Sequence, residues 1–236
     1  MQIDVVDHVA GASRARGIAL VIDVFRAFTV APHAVAAGAS RVLPVGAIED
    51  ALALRDAMPD AVLVGERHAR RLPGFDAGNS PTEVLALGVA GRPVIHTTHA
   101  GTQGLVNATG ADEVLTASLV NLSALVRYVQ SRNPQYATIV RMGHEARERC
   151  AEDDFCAEAL VTLFNGGKVP TAAEARDRLR DAPAAVKFFD SAADWAPLTD
   201  FDYCTEVDRF DFVLRLRTGA DGRRELERID VPGATV

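Results

Sequence analysis

The 236-residue chain has a formal net charge of −7 and is 48% hydrophobic. That is ample for a buried core and unsuited to broad nucleic-acid contact, where a basic face supplies most of the affinity. Three cysteines, at 150, 156 and 204, form no C-x-x-C pair, which argues against a disulfide framework and for a reducing compartment. The N-terminal stretch M-Q-I-D-V-V-D-H lacks a basic region followed by an apolar core, and no apolar run reaches membrane-spanning length. The sequence therefore predicts a soluble, cytoplasmic protein with neither nucleic acid nor membrane as partner.

Ile18 to Ile22 is a short, wholly apolar run suited to a strand buried on both faces, and Asp23 and Arg26 follow where it ends. A helix capped by Thr29 and closed by Gly38 comes next. Strands are predicted at Arg41 to Val45, Ala61 to Gly65, Pro93 to Thr97, Val114 to Ser118 and Tyr136 to Met142. Between them lie helices at Ile48 to Met58, Thr102 to Thr109 and Leu122 to Arg132, the last with Asn121 as its cap. Gly65 to Ser80 reads as a long loop, and Ser80-Pro81-Thr82-Glu83 as a helix start with a capping box, the helix ending near Gly88.

Glu152-Asp153-Asp154 opens a helix, and Thr171-Ala172-Ala173-Glu174 is a second capping box. Phe210 to Arg217 and Arg224 to Ile229 read as an antiparallel hairpin joined through Asp221-Gly222. Strands alternating with helices predict one α/β domain over residues 1–236. Its expected form is three layers, α/β/α, around a mostly parallel, mixed sheet with the C-terminal hairpin on its edge. Apolar strands near both ends are compatible with a homodimer.

Ligands of open parallel sheets bind beyond the carboxyl ends of the strands. The polar residues there are Asp23 and Arg26; Glu66 and Arg67, then Asp76, Asn79 and Ser80; Thr97, Thr98, His99, Gly101 and Thr102; Ser118 and Asn121; and Gly143, His144 and Glu145. Asp23 and Arg26 suit either a loop ion pair or a site. The Thr97 to Thr102 turn suits either an ordinary helix cap or an anion pocket of N–H and hydroxyl donors. The acids at 152 to 154 suit either the helix dipole or a divalent cation. Arginines bunch at 67, 70 and 71 and at 141, 147 and 149, as a solvated face or as a patch for a small anion.

No Walker loop and no G-x-G-x-x-G is present, and Asp23 has no aspartate two positions on. No cysteine has an arginine six residues later, and Arg67-His68-Ala69-Arg70 lacks the glycine of a histidine-phosphatase R-H-G. Cys156 lies on an apolar helix face and reads as core. His99 and His144 suit hydrogen bonding or proton transfer better than metal ligation.

V-I-D-V-F-R-A-F-T (Val21 to Thr29), G-E-R (Gly65 to Arg67), G-F-D-A-G-N-S-P (Gly74 to Pro81), the T-T turn with Gly101-Thr102, and E-D-x-F-C-A (Glu152 to Ala157) together resemble the 2-phosphosulfolactate phosphatase (ComB) family. These are magnesium-dependent hydrolases linked to coenzyme M biosynthesis. Where members tend to read T-T-T-N-G-T-R, this chain has His99, Ala100 and Gln103 in place of threonine, asparagine and arginine.

The resemblance implies a Mg2+-dependent phosphatase acting on a small-molecule phosphate ester, 2-phosphosulfolactate. Its metal ligands would come from Asp23, Glu66, Asp76, Glu152 and Asp153. Arg26 and Arg67 would grip phosphate or sulfonate, with Asn79, Ser80, Thr97, Thr98, Gly101, Thr102 and Ser118 lining the substrate. Water is preferred over a carboxylate as nucleophile, and His144 is the candidate for protonating the leaving alkoxide. The alternatives are a non-catalytic binder of a phosphorylated or sulfonated metabolite, and a phosphatase of another small metabolite.

Overall fold

The structure is a computed structural model, and it describes residues 1–231 and 233. In chain order the elements are β1 (Gln2–Asp7), α1 (His8–Ala12), β2 (Ile18–Ile22), α2 (Ala27–Ala36), β3 (Arg41–Pro44), α3 (Ile48–Ala57), β4 (Val62–Arg67), β5 (Arg70–Arg71), α4 (Pro81–Ala86) and β6 (Pro93–Thr97). They continue with α5 (Gly101–Asn107), β7 (Glu113–Ala117), α6 (Leu122–Arg132), β8 (Tyr136–Arg141), α7 (Ala151–Phe164), α8 (Ala172–Leu179), α9 (Val186–Phe189), α10 (Leu198–Cys204), β9 (Phe212–Thr218) and β10 (Arg224–Asp230). The fold is α/β with mixed sheets, and the β9–β10 hairpin lies at a sheet edge as expected.

The strands divide between two sheets rather than filling one. A six-stranded sheet has the order β1-β8-β2-β7-β9-β10, and a four-stranded sheet the order β3-β6-β4-β5. β1, β8, β2 and β7 run parallel, as do β3, β6 and β4. β10 runs beside β3 at the junction, where Arg41 pairs with Asp221 and Glu225 of the hairpin.

All five residues of β2 are buried, and their alternation sorts them into two cores. Ile18, Leu20 and Ile22 pack with Leu122, Leu125 and Val129 of α6 and Leu160 of α7. Ala19 and Val21 face a second core containing Phe28 and Val30 of α2 and Leu105 of α5. Val42, Val64 and Val94 of the four-stranded sheet join that same core, so α2 and α5 bind the two sheets to each other. On the far side of the smaller sheet, Leu43, Leu63 and Ile95 pack with Ala51 of α3 and Phe75.

Several local expectations shift. Helix α2 starts at Ala27, so Thr29 lies inside it and its hydroxyl donates to the Val24 carbonyl at 3.0 Å. Pro32 therefore falls within the helix and leaves the Phe28 carbonyl without its usual N–H donor. Ser118 supplies the substitute, its Oγ donating to that carbonyl at 2.7 Å. The Asn121 side chain bonds the Phe212 carbonyl rather than its own helix, and Asp208 accepts from the Ser123 N–H at 2.8 Å instead. β1 and α1, which the N-terminal pattern did not signal, form because β8 offers β1 a parallel partner along its full length.

Gly17 precedes β2 with φ +63°, and a Cβ there would stand 1.9 Å from the Tyr136 carbonyl oxygen. Gly17→Ala is expected to lower stability by at least about 2 kcal/mol, since both the conformation and the close approach exclude a side chain. A urea unfolding midpoint equal to that of the parent protein contradicts this.

Candidate active site

β2 and β8 of the larger sheet and β4 of the smaller one carry or lead into residues lining one small recess that is partly open to solvent. Asp23, Phe25 and Arg26 follow β2, Gly143, His144 and Glu145 follow β8, and Glu66 comes from β4 itself. His99 and Ala100 come from the turn between β6 and α5, Glu152 and Asp153 from the first turn of α7, and Lys187 from α9.

Four carboxylates lie buried here: Asp23, Glu66, Glu152 and Asp153, all at most 8% exposed. Backbone amides hold three of them. Asp23 Oδ1 accepts from the Ala27 N–H at 3.2 Å, and the Gly101 N–H also donates to this side chain. A Cβ on Gly101 would stand 2.7 Å from Asp23 Oδ2, so only glycine lets the amide approach. Asp153 accepts from Val24 (3.0 Å) and Gly143 (2.8 Å), which ties α7 to the ends of β2 and β8. Glu66 accepts from Ala69 and His99, both at 2.8 Å. Glu152 is the exception, since its Oε2 is enclosed and has no hydrogen-bond partner.

Burial, reinforced by Glu66 and Glu152, pushes the Asp23 carboxyl up to about 7. Burial also raises Glu152, and it raises Asp153 well above the usual carboxylate range, with Asp23 and Glu152 adding like charge. Such a cluster relieves its repulsion by taking up protons or a hard cation with oxygen ligands. The orphaned Glu152 oxygen fits a cation. Asp23, Glu152 and Asp153, with Glu66 close by, are the residues that could hold such an ion.

Of the cationic groups, Arg26 is 2% exposed and spends Nη1 on Asp200 and on the Trp195 carbonyl. Asp200 also accepts from Ser80 Oγ (2.9 Å) and the Thr82 N–H (3.0 Å), so Ser80 braces the Arg26 anchor while capping α4. Lys187 lines the recess beside Glu152 and Asp23, and burial pulls its ammonium below the usual lysine range. Asn79 lines the recess too, with its Oδ1 taken by His96 Nε2 at 3.1 Å. Burial lowers His96 to about 4, which keeps the ring neutral and the amide of Asn79 turned one way.

Other predicted residues lie outside the recess lining. Asp76 bonds Arg55 and the Leu63 N–H on the far side of β4. Arg67 reaches the Gly46 carbonyl and Thr97 Oγ1, both at 3.1 Å. Thr98 and Thr102 bond each other reciprocally, the Thr98 N–H to Thr102 Oγ1 at 2.9 Å and the Thr102 N–H to Thr98 Oγ1 at 3.1 Å. Ser118 serves α2 as described above. Lys187, Asp200 and His96 were not among the predicted residues. Lys187 alone left a trace, as a single charge in the run V-K-F-F.

A family model described as 2-phosphosulpholactate phosphatase matches residues 4–219. The chain belongs to this family. Among relatives of the 2-phosphosulfolactate phosphatase family, a Bacillus subtilis (strain 168) protein named "Probable 2-phosphosulfolactate phosphatase" is 34% identical over 203 residues, 85% of this chain and 87% of its own. A Deinococcus radiodurans protein of the same name is 43% identical over 148 residues, 62% and 61% of the two chains. A third, from Caldanaerobacter subterraneus subsp. tengcongensis, is 31% identical over 216 residues, 85% and 88%. Proteins named in this way are phosphoric monoester hydrolases, and the chain is a member of that enzyme class.

The raised carboxyls set a sign for pH dependence. Asp23 holds its proton more tightly folded than unfolded, so its contribution is full below about pH 4 and is lost as pH rises through about 7. In metal-free protein, Asp23→Asn is expected to be more stable than the parent at pH 8 by a few kcal/mol in order of magnitude, to keep only a minor part of that advantage at pH 5 and to lose it below about pH 4. Added Mg2+ should raise the unfolding midpoint of the parent more at pH 8 than at pH 5, because protons compete for the same oxygens. Urea titrations in which neither difference changes with pH contradict the buried-cluster account.

Proposed function

We propose that the chain is a Mg2+-dependent phosphatase that converts 2-phosphosulfolactate to sulfolactate and phosphate, in a reducing cytoplasm that suits its three free thiols. The observation that carries this reading is the buried carboxylate cluster with the unpartnered Glu152 oxygen, set in a recess that also holds Lys187, Asn79 and His144. The family's named substrate supports it, being a small ester with several negative charges.

Asp23, Glu152 and Asp153 are the residues that would hold the ion, with Glu66 close by; Asp76 is not used, being engaged by Arg55. When bound, Mg2+ supplies neutralisation of the phosphoryl oxygens, without which monoester hydrolysis is extremely slow. The amides of Ala27, Gly101, Val24 and Gly143 fix Asp23 and Asp153 in place, so little reorganisation is required as charge develops. Lys187 gives a charged N–H donor to phosphate or sulfonate, and Asn79 a neutral one from its amide nitrogen. Arg26, locked on Asp200, shapes the wall and contributes positive field. His144 presents a ring at the recess that can deliver a proton to the departing alkoxide.

Purified protein is expected to release phosphate from 2-phosphosulfolactate with Mg2+ and to stop when the metal is fully chelated. Asp23→Asn should cut kcat by about a hundredfold or more without lowering the unfolding midpoint. Lys187→Met should act mainly on KM. Turnover that survives complete chelation, or parent-like turnover by Asp23→Asn, removes the carboxylate recess from the mechanism. Binding without turnover across a panel of phosphorylated 2-hydroxy acids favours a silent binding protein.

A further inference from the structure

We propose that His68, His99 and Glu145 form a second metal site at the rim of the recess, suited to a borderline divalent ion such as Zn2+ rather than to Mg2+. Three segments far apart in sequence supply it. His68 lies in the β4–β5 turn, His99 in the turn before α5, and Glu145 in the loop after β8. Among the described residues this is the one grouping of three His, Cys, Asp or Glu side chains whose ligand atoms all lie within 4.8 Å of one another. His68 Nδ1 is 2.5 Å from Glu145 Oε1, and the His68 and His99 rings meet edge to face with centroids 5.0 Å apart.

The donor set decides the ion. Two imidazoles and one carboxylate, with a fourth position open to solvent or substrate, suit zinc-type ions, whereas the all-oxygen recess suits a hard cation. Ligand atoms around a tetrahedral zinc stand about 3.3 Å apart, given bonds near 2 Å. The His68 side chain is 73% exposed and is free to turn the short distance that closing the shell requires. His99 Nδ1 is enclosed and has no hydrogen-bond partner, so no protein donor or acceptor occupies that nitrogen.

Glu66 links this rim site to the recess. Its two oxygens accept from the N–H groups of Ala69 and His99, so one buried carboxylate fixes both turns that carry the imidazoles. His99 and Glu145 themselves line the recess. An ion on the three side chains would tie three loops together across the entrance, and Zn2+ is therefore expected to slow the Mg2+-saturated enzyme.

Co2+ is the probe, added to metal-free protein in a large excess of Mg2+ that fills the oxygen site. The expected result is one equivalent of Co2+ with visible d–d absorption typical of four- or five-coordinate imidazole ligation, displaced by Zn2+. His68→Ala and His99→Asn should each weaken this binding at least tenfold, while Asp23→Asn keeps it. His68 is on an exposed turn, so that variant tests the site without a risk to folding. No such absorption in the parent, or a spectrum unchanged in both histidine variants, overturns the proposal and leaves His68 and Glu145 as an ordinary ion pair. A protein that binds Co2+ here yet hydrolyses no phosphate ester keeps this site and loses the phosphatase reading.

Discussion

Bringing four carboxylates out of water beside one another is the constraint on which the rest of the structure depends. Each such group costs several kcal/mol when left ionised and unpaired, so the fold must either compensate them or keep them protonated. It does the first only in part. Six backbone N–H groups point at Asp23, Asp153 and Glu66, whereas Glu152 keeps an oxygen with no partner at all. Arg26, the strongest cation nearby, is committed to Asp200. The negative charge left over is the ground on which a divalent ion is proposed for the recess.

The two-sheet architecture explains how those amides come to be in position. Asp23 follows a strand buried on both faces, and its neighbour Val24 donates to Asp153 at the start of α7. Gly143 closes the same link from the end of β8, while Gly101 opens α5 against Asp23 from the smaller sheet's side. The core shared by α2, α5 and both sheets holds these strand ends together. Chemistry at the recess thus rests on packing some distance below it. A change at Val21 or Val140 would act on the site through that core rather than by contact.

Much of this was legible in the sequence, and for definite reasons. Asp23 stands out because it follows five apolar residues without a break, and Glu152-Asp153 because they open a helix with an apolar face. The Ser80 start was also readable, although the Glu83 carboxylate bonds the Gly78 N–H and leaves the capping box half made, whereas the box at Thr171 is complete. The division into two sheets was not legible, because Val62 to Val64 and Val94 to Ile95 look the same whichever sheet receives them. Helix α2 was placed three residues late, with Thr29 rather than Arg26 as its cap, because Pro32 is most at home in a first turn, and nothing local announces that Ser118 would supply the missing donor to Phe28. Asp200 and Lys187 enter from the C-terminal third through tertiary packing alone. Asp76 and Arg67, by contrast, read as site residues from their position after a strand, yet their side chains turn to Arg55 and to Gly46.

The proposed function stands or falls on one point, the binding of a divalent cation by Asp23 with Glu152 or Asp153. Crystals grown with Mn2+ in place of Mg2+ test it most directly, through the anomalous signal of the ion. The account predicts a peak in the recess within about 2 to 2.5 Å of oxygens from Asp23 and at least one of the two α7 acids. A recess without a peak, in crystals where Mn2+ is bound elsewhere or not at all, would contradict it.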